Sequence, residues 1–169
     1  MRACFGLGLL VTALLVPVHL AASEDSFRIG GAVERPAEWT AAQVLKEFAA
    51  SVQSVRFTLK GTEHSARCVP LQLLVKPALP QFETEVKNHD LGFAVFVQGR
   101  DHYTVCFSYA ELSPEVGKRQ VWLALEVDGK PLTGKESPAR LLVPEDAKPA
   151  RWTYGITSIT VVDGRRQPR

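Results

Sequence analysis

Three cysteines, one methionine and four histidines are all that 169 residues offer as soft or imidazole ligands. No two cysteines form a C-x-x-C pair and no two histidines stand at H-x-x-x-H spacing, which excludes zinc ribbons and zincin-type metalloproteases. No G-x-S-x-G is present, so the strand-turn-helix nucleophile of the α/β-hydrolases is excluded. Charge of one sign is also missing. Twenty basic and eighteen acidic residues are dispersed along the chain for a net +2, with no basic stripe to track a phosphate backbone, so a nucleic-acid partner is not expected. The chain lacks internal repeats, and its 46% hydrophobic, 22% charged composition is that of one folded domain rather than a disordered, collagenous or coiled-coil chain.

One apolar run stands out. Phe5 to Val16 follows Arg2, ends at Pro17, and is succeeded by the small residues Ala21, Ala22 and Ser23. A positive start, an apolar middle and a small-x-small end make a secretory signal, with cleavage expected after Ser23. The run is shorter than the roughly 20 residues a bilayer needs, so no membrane span is expected after cleavage. The expected product is a domain over 24–163 with a flexible tail over 164–169, exported to a periplasm or the outside. That compartment permits disulfides. Cleavage removes Cys4 and leaves Cys68 and Cys106, which could form one bridge, remain two separate thiols, or ligate a metal; sequence spacing leaves all three open.

Periodicity gives the elements. Thr40 is a plausible N-cap for a helix over 41–50, with Val44, Leu45 and Phe48 on one face. Val55, Phe57 and Leu59 alternate with Arg56, Thr58 and Lys60 as a strand does; Gly61 to Glu63 turns the chain, and His64 to Val69 returns. Pro70 starts a short helix that ends near Pro77. Residues 78–90 read as a long connection. Further strands are expected over 91–98, 103–107, 121–127, 141–143 and 156–162, with Asp128-Gly129 as a tight hairpin turn. Seven or eight short strands and two or three short helices, out of strict alternation, predict a mixed α+β single domain dominated by sheet.

The order of several short segments resembles the oxidoreductase molybdopterin-binding domain, the sulfite oxidase fold. Gly31-x-Val33-Glu34-Arg35-Pro36 is similar to that family's G-x-V-x-x-P. Cys68-Val69-Pro70-Leu71-x-x-Leu74 resembles G-V-P-L-x-x-L-L, and Tyr103-x-Val105-x-Phe107-Ser108-x-Ala110-Glu111-Leu112 resembles Y-x-x-x-F-S-L-x-E-L. Leu123-Ala124 through Val127-Asp128-Gly129-Lys130-Pro131-Leu132 is similar to L-A-Y-x-x-N/D-G-x-P-L. Pro138-x-Arg140-Leu141-x-Val143-Pro144, then Arg151-Trp152 and 156–161, resemble the closing P-x-R-L-V-V-P … K-W … I-x-V. Together these pieces cover nearly all of 28–163.

The resemblance implies a molybdenum ion held on a pterin dithiolene and anchored by one cysteine thiolate, a soft ligand suited to a sulfur-rich centre. Here the chain departs. The stretch 51–67, where that ligand is expected, contains no cysteine and its strand ends in Thr58-Leu59-Lys60-Gly61. Cys68 stands where the family has glycine. After Pro144 the chain runs Glu145-Asp146-Ala147-Lys148-Pro149, whose two carboxylates would repel a pterin phosphate. The expectation is therefore an exported binding or accessory module on this fold that has lost the metal ligand, with no cofactor expected and molybdopterin implied by the resemblance only. The alternatives are an active molybdopterin-dependent oxidoreductase anchored by Cys68, and an interaction protein without a ligand. Candidate ligand-binding residues are Lys60, Arg140 and Arg151, and the expected partner is a small anion or another protein. Arg140, leading into an apolar strand, needs a carboxylate or an anion beside it. Glu111 is read as holding a loop, and Trp39, Trp122 and Trp152 as packing. His64, His89 and His102 are read as surface residues; a metal site becomes conceivable only where the His89-Asp90 and Asp101-His102 loops meet.

Overall fold

The computed structural model describes residues 25–165; the expected signal over 1–23 and the tail beyond residue 165 lie outside them. The first sheet has the order β2-β1-β10-β5-β6, formed by β1 (Ser26–Gly31), β2 (Ala37–Thr40), β5 (Phe93–Gly99), β6 (Thr104–Ser108) and β10 (Ile156–Asp163). Its one parallel pair is β1 with β10. The second sheet runs β3-β4-β7-β8, from β3 (Gln53–Leu59), β4 (Thr62–Pro70), β7 (Trp122–Val127) and the two-residue β8 (Lys130–Pro131). On that same side of β7, β8 pairs with Glu126–Val127 while β9 (Arg140–Leu142) pairs with Trp122–Ala124. The fold class is mixed α+β and sheet-dominated, as the sequence predicts.

Strict alternation marks β5 and β6 as strands with one face in the core, whereas Trp122 to Leu125 of β7 and all of β9 are continuous runs buried on both faces. In β5 every second residue from Phe93 to Gly99 is buried, and in β6 Val105 and Phe107 turn inward while Thr104, Cys106 and Ser108 face out. One hydrophobic cluster takes Phe27, Ile29, Val95, Val97, Phe107, Ile159 and Val161 from the first sheet and Phe57, Cys68, Leu123, Leu125 and Leu141 from the second. Burying such side chains, at about 25 cal/mol per Å² of apolar surface removed from water, is the main force holding the domain together.

The helices are shorter than the periodicity predicts. Thr40 caps α1 (Ala41–Glu47) through a reciprocal pair, the Gln43 N–H to Thr40 Oγ1 and the Thr40 N–H to Gln43 Oε1. The chain then tightens into a 3₁₀ turn over Ala49–Ser51, and Trp39 packs on Phe48 at 5.7 Å between ring centroids. Similarly, β4 runs on to Pro70, so α2 covers only Leu71–Val75; α3 is the single turn Tyr109–Leu112. The 78–90 connection is pinned rather than loose, because Phe82 meets Phe93 and Tyr109 edge-on and His89 is buried. Within the expected tail, Gly164 donates its N–H to the Gly92 carbonyl and Arg165 donates its N–H to Asp163 Oδ1, so order extends through these two residues. Among the described residues no helix is long and apolar enough to cross a membrane.

Candidate functional site

Four turns build one cleft. Leu59 pairs directly with Thr62, so the hairpin turn is Lys60-Gly61, one residue earlier than predicted. Both residues have positive φ, 51° and 81°, the type I′ geometry that matches strand twist but ordinarily takes Asn-Gly. A lysine is thus held in left-handed backbone at a hairpin tip. The β5–β6 turn contributes Arg100 and Asp101, whose Oδ1 accepts the Tyr103 N–H at 3.0 Å. The 3₁₀ turn Gly134–Glu136 contributes Lys135 and Glu136, and Tyr154 stands two residues before β10. Leu59, Lys60, Arg100, Asp101, Lys135, Glu136 and Tyr154 enclose about 410 Å³, with three cations facing two carboxylates.

Gly155 sets the spacing of these walls. Its φ is +53°, and a Cβ there would come within 2.4 Å of the Lys135 carbonyl oxygen and 3.4 Å of Arg100 Cδ. The Arg100 amide donates to the Gly155 carbonyl at 3.0 Å and its Nε to the Ser137 carbonyl at 3.2 Å. A Gly155→Ala chain should therefore lose about 2–3 kcal/mol in urea unfolding through left-handed strain and steric overlap; a loss under about 0.5 kcal/mol, the scale of an ordinary surface change, would contradict this close approach.

Beneath the cleft lies Arg140, the first residue of β9 and only 3% exposed. Its Nη2 donates to Tyr154 Oη at 3.1 Å, and its Nη1 lies 3.8 Å from Glu136 Oε1. The guanidinium carbon sits 4.4 Å from the Tyr154 ring centroid, 5.2 Å from that of Phe57 and 6.0 Å from that of Trp152. Arg140 Nε is buried without a hydrogen-bond partner. The aromatic faces attract the guanidinium by cation–π contact, and one carboxylate at 3.8 Å only partly offsets its charge. Tyr154 and Glu136 touch both Arg140 and the cleft, so the buried cation adds positive potential under an already cationic pocket.

The structure brings Lys60 and Arg140 to this cleft and places Arg151 elsewhere. Arg151 forms a two-pronged pair with Asp146 at 2.8 and 2.6 Å, donates to Glu111 at 3.1 Å, and stacks its guanidinium 4.6 Å from the Phe107 ring centroid. These hydrogen bonds hold the Asp146 carboxyl below its usual range and push the Arg151 guanidinium up. Arg119 reaches Glu145 at 3.4 Å and Glu111 at 3.5 Å. The loop carboxylates thus occupy the guanidiniums that a phosphate would need, and Glu111 does hold a loop.

The possible Cys68–Cys106 bridge is not formed: both thiols are free, Cys68 enclosed in the core and Cys106 exposed. They stand on different sheets, and Cys106 faces away from the core. Burial pushes the Cys68 thiol up to about 12 despite the nearby Arg140. Alkylation of the folded chain followed by peptide mapping should label Cys106 and reach Cys68 only after unfolding; label on Cys68 in the folded chain would contradict this packing. The histidine loops do not meet either, because His89 and His102 lie at opposite ends of β5, whose seven residues span about 20 Å. His89 is buried rather than exposed: its Nδ1 accepts the Glu83 N–H at 2.6 Å, and its Nε2 lies 3.6 Å from Asp163 Oδ2 and against the Arg165 guanidinium. His64 hydrogen-bonds Asp128 at 2.8 Å, fixing the Asp128-Gly129 turn. Trp122 and Trp152 are buried, Trp152 donating to the Val143 carbonyl, and Trp39 packs on Phe48.

The donor set does not fit a molybdenum centre. A thiolate anchor must be ionised and face the metal, whereas Cys68 is 0% exposed, disfavoured as a thiolate by its burial, and on no wall of the cleft. At the end of β3 stand an ammonium and a glycine. Among the described residues no three His, Cys, Asp or Glu side chains gather as a metal ion held by protein ligands alone would require.

Two sheets carrying short helices and 3₁₀ turns make a fold consistent with a sulfite-oxidase-like domain. Among solved structures the fold matches the sulfane dehydrogenase SoxCD from Paracoccus pantotrophus, with a TM-score of 0.57 and 18% identity over 85% of this chain. The match covers 40% of that protein's chain, and likeness at this identity is a likeness of fold. No family model and no curated protein sequence matches the chain.

Proposed function

We propose that this chain is an exported binding or accessory module, built on a sulfite-oxidase-like fold that has lost its metal anchor, and that it holds a small anion in the Lys60 cleft. One observation carries the reading: at the end of β3, where the resemblance calls for a thiolate, Lys60 faces Arg100 and Lys135 above a buried Arg140 whose Nε has no partner. Three cations and a low-dielectric floor favour an anion, and the orphaned Nε adds to the positive field beneath it. The Arg2, apolar-run and small-residue pattern of 1–23 supports export to a periplasm or the outside. The enclosed Cys68 gives no support to a metal anchored there.

Calorimetric titration with sulfate and with phosphate tests the anion. Lys60→Asn removes the charge while supplying a residue that tolerates left-handed backbone, so stability should hold or rise. Binding of at least one of the two anions, weakened about tenfold or more by Lys60→Asn, is the expected result. Absence of binding of both to the parent chain, or unchanged affinity in Lys60→Asn, would overturn it.

A further inference from the structure

A second recess lies away from the Lys60 cleft, and it is a groove. One hollow of about 320 Å³ has walls of Pro70, Leu112, Pro114, Val121 and Trp122. A second, of about 310 Å³, shares Gln72 and Pro114 with it and continues toward Asp90 and Glu115. The two ends differ in chemistry.

At the first end the walls are apolar and the rim carries Gln53, Gln72 and Gln120 together with Lys118 and Arg119, the latter turned to Glu111 and Glu145. None of these three side-chain amides makes a hydrogen bond within the described residues. A glutamine amide offers one acceptor and two donors, the complement of a peptide backbone unit. At the second end Glu83, Asp90 and Glu115 face a single lysine, Lys76. Arg165 lies 3.7 Å from Glu83, while Asp90 and Glu115 are in no ion pair among the described residues. One of the large exposed hydrophobic side chains, Val86, lines this end at 36% exposure.

We infer that this groove docks an extended peptide segment of a partner protein, with an apolar side chain over Trp122, basic side chains against Asp90 and Glu115, and its backbone held by the glutamine amides. Charge complementarity selects the basic end, and apolar burial anchors the other. The inference is independent of the anion reading, because the two recesses share no residue.

Fluorescence anisotropy on the intact chain tests it. The probes are two fluorescein-labelled hexapeptide pools, each with leucine, phenylalanine or tryptophan at two positions of one end and serine or glycine between; one pool has two lysines at the other end, its counterpart two glutamates. The lysine pool should bind about tenfold or more tightly than the glutamate pool. The double variant Asp90→Lys, Glu115→Lys should reverse that preference, and Gln72→Ala should weaken both pools. Thermal melting and sulfate titration of each variant verify that it is folded. Equal affinity for the pools, no binding of either at about 1 mM, or an unchanged preference in the charge-reversed variant would overturn the inference. So would concentration-dependent self-association that the charge-reversed variant abolishes, since the occupant would then be a second copy of this chain.

Discussion

An Arg140→Ala chain should lose about 3–4 kcal/mol of unfolding free energy, the range of a large buried side chain cut back to alanine. Arg140 is 97% enclosed, and its removal opens a void between Phe57, Trp152 and Tyr154 while depriving Tyr154 Oη of its donor and Glu136 of its partner. Arg140→Met separates packing from charge. A thioether chain of similar length fills the same aromatic box, and Glu136, 31% exposed and only 3.8 Å from the lost cation, is left to solvent rather than buried alone. Its stability should stay within about 1.5 kcal/mol of the parent, as for other volume-conserving exchanges, while sulfate or phosphate affinity falls about tenfold or more. Urea unfolding and calorimetric titration read the two effects separately. An Arg140→Met chain that binds the anion like the parent would show that the buried cation adds nothing to the cleft.

The second large effect is at Arg151. Its guanidinium joins Asp146 and Glu111 and covers Phe107, so Arg151→Ala removes a two-pronged pair and leaves two part-buried carboxylates with only Arg119, at 3.5 and 3.9 Å, as a shared cation. The side chain is 27% exposed, and solvent screening limits the loss to about 1–2 kcal/mol at neutral pH. The effect should depend on pH in one direction. Asp146 is held below its ordinary value of 3.8 by its hydrogen bonds to Arg151; a lowered folded-state value means stability that is fully present above the ordinary value and is lost as pH falls toward the folded one. Parent and variant should therefore differ most at neutral pH and converge below about pH 4. Unfolding curves that stay parallel down to pH 2 would contradict the pairing.

The strands were legible because apolar and β-prone runs bounded by turn residues are a local signal that burial then enforces; those expected over 91–98 and 103–107 are Phe93–Gly99 and Thr104–Ser108, within two residues at each end. Helix lengths were not, since Pro70 is consumed by β4 and the chain tightens after Phe48 into a 3₁₀ turn. Of the candidate site, Lys60 and Arg140 were visible: one ends a strand where a thiolate was expected, the other leads charge into an apolar strand. Arg100, Lys135 and Tyr154 were not. Each stands in a turn whose neighbours come from distant sequence, and only the pairing of β5 with β10 and the close approach at Gly155 bring them together. Arg151 misled because a basic residue beside a tryptophan fits a ligand as well as it fits Asp146 five residues earlier. Cys68 and Cys106 left a bridge open because sequence gives their separation along the chain and not that their strands belong to different sheets.

The most direct test of the proposal that the metal anchor is lost is the molybdenum and pterin content of the protein purified from a molybdenum-replete host with residues 1–23 intact. A folded sample with neither molybdenum nor a fluorescent pterin on oxidation is the expected result. About one molybdenum per chain together with the pterin would contradict the account, and would mean that the fold holds its metal without a cysteine at the end of β3.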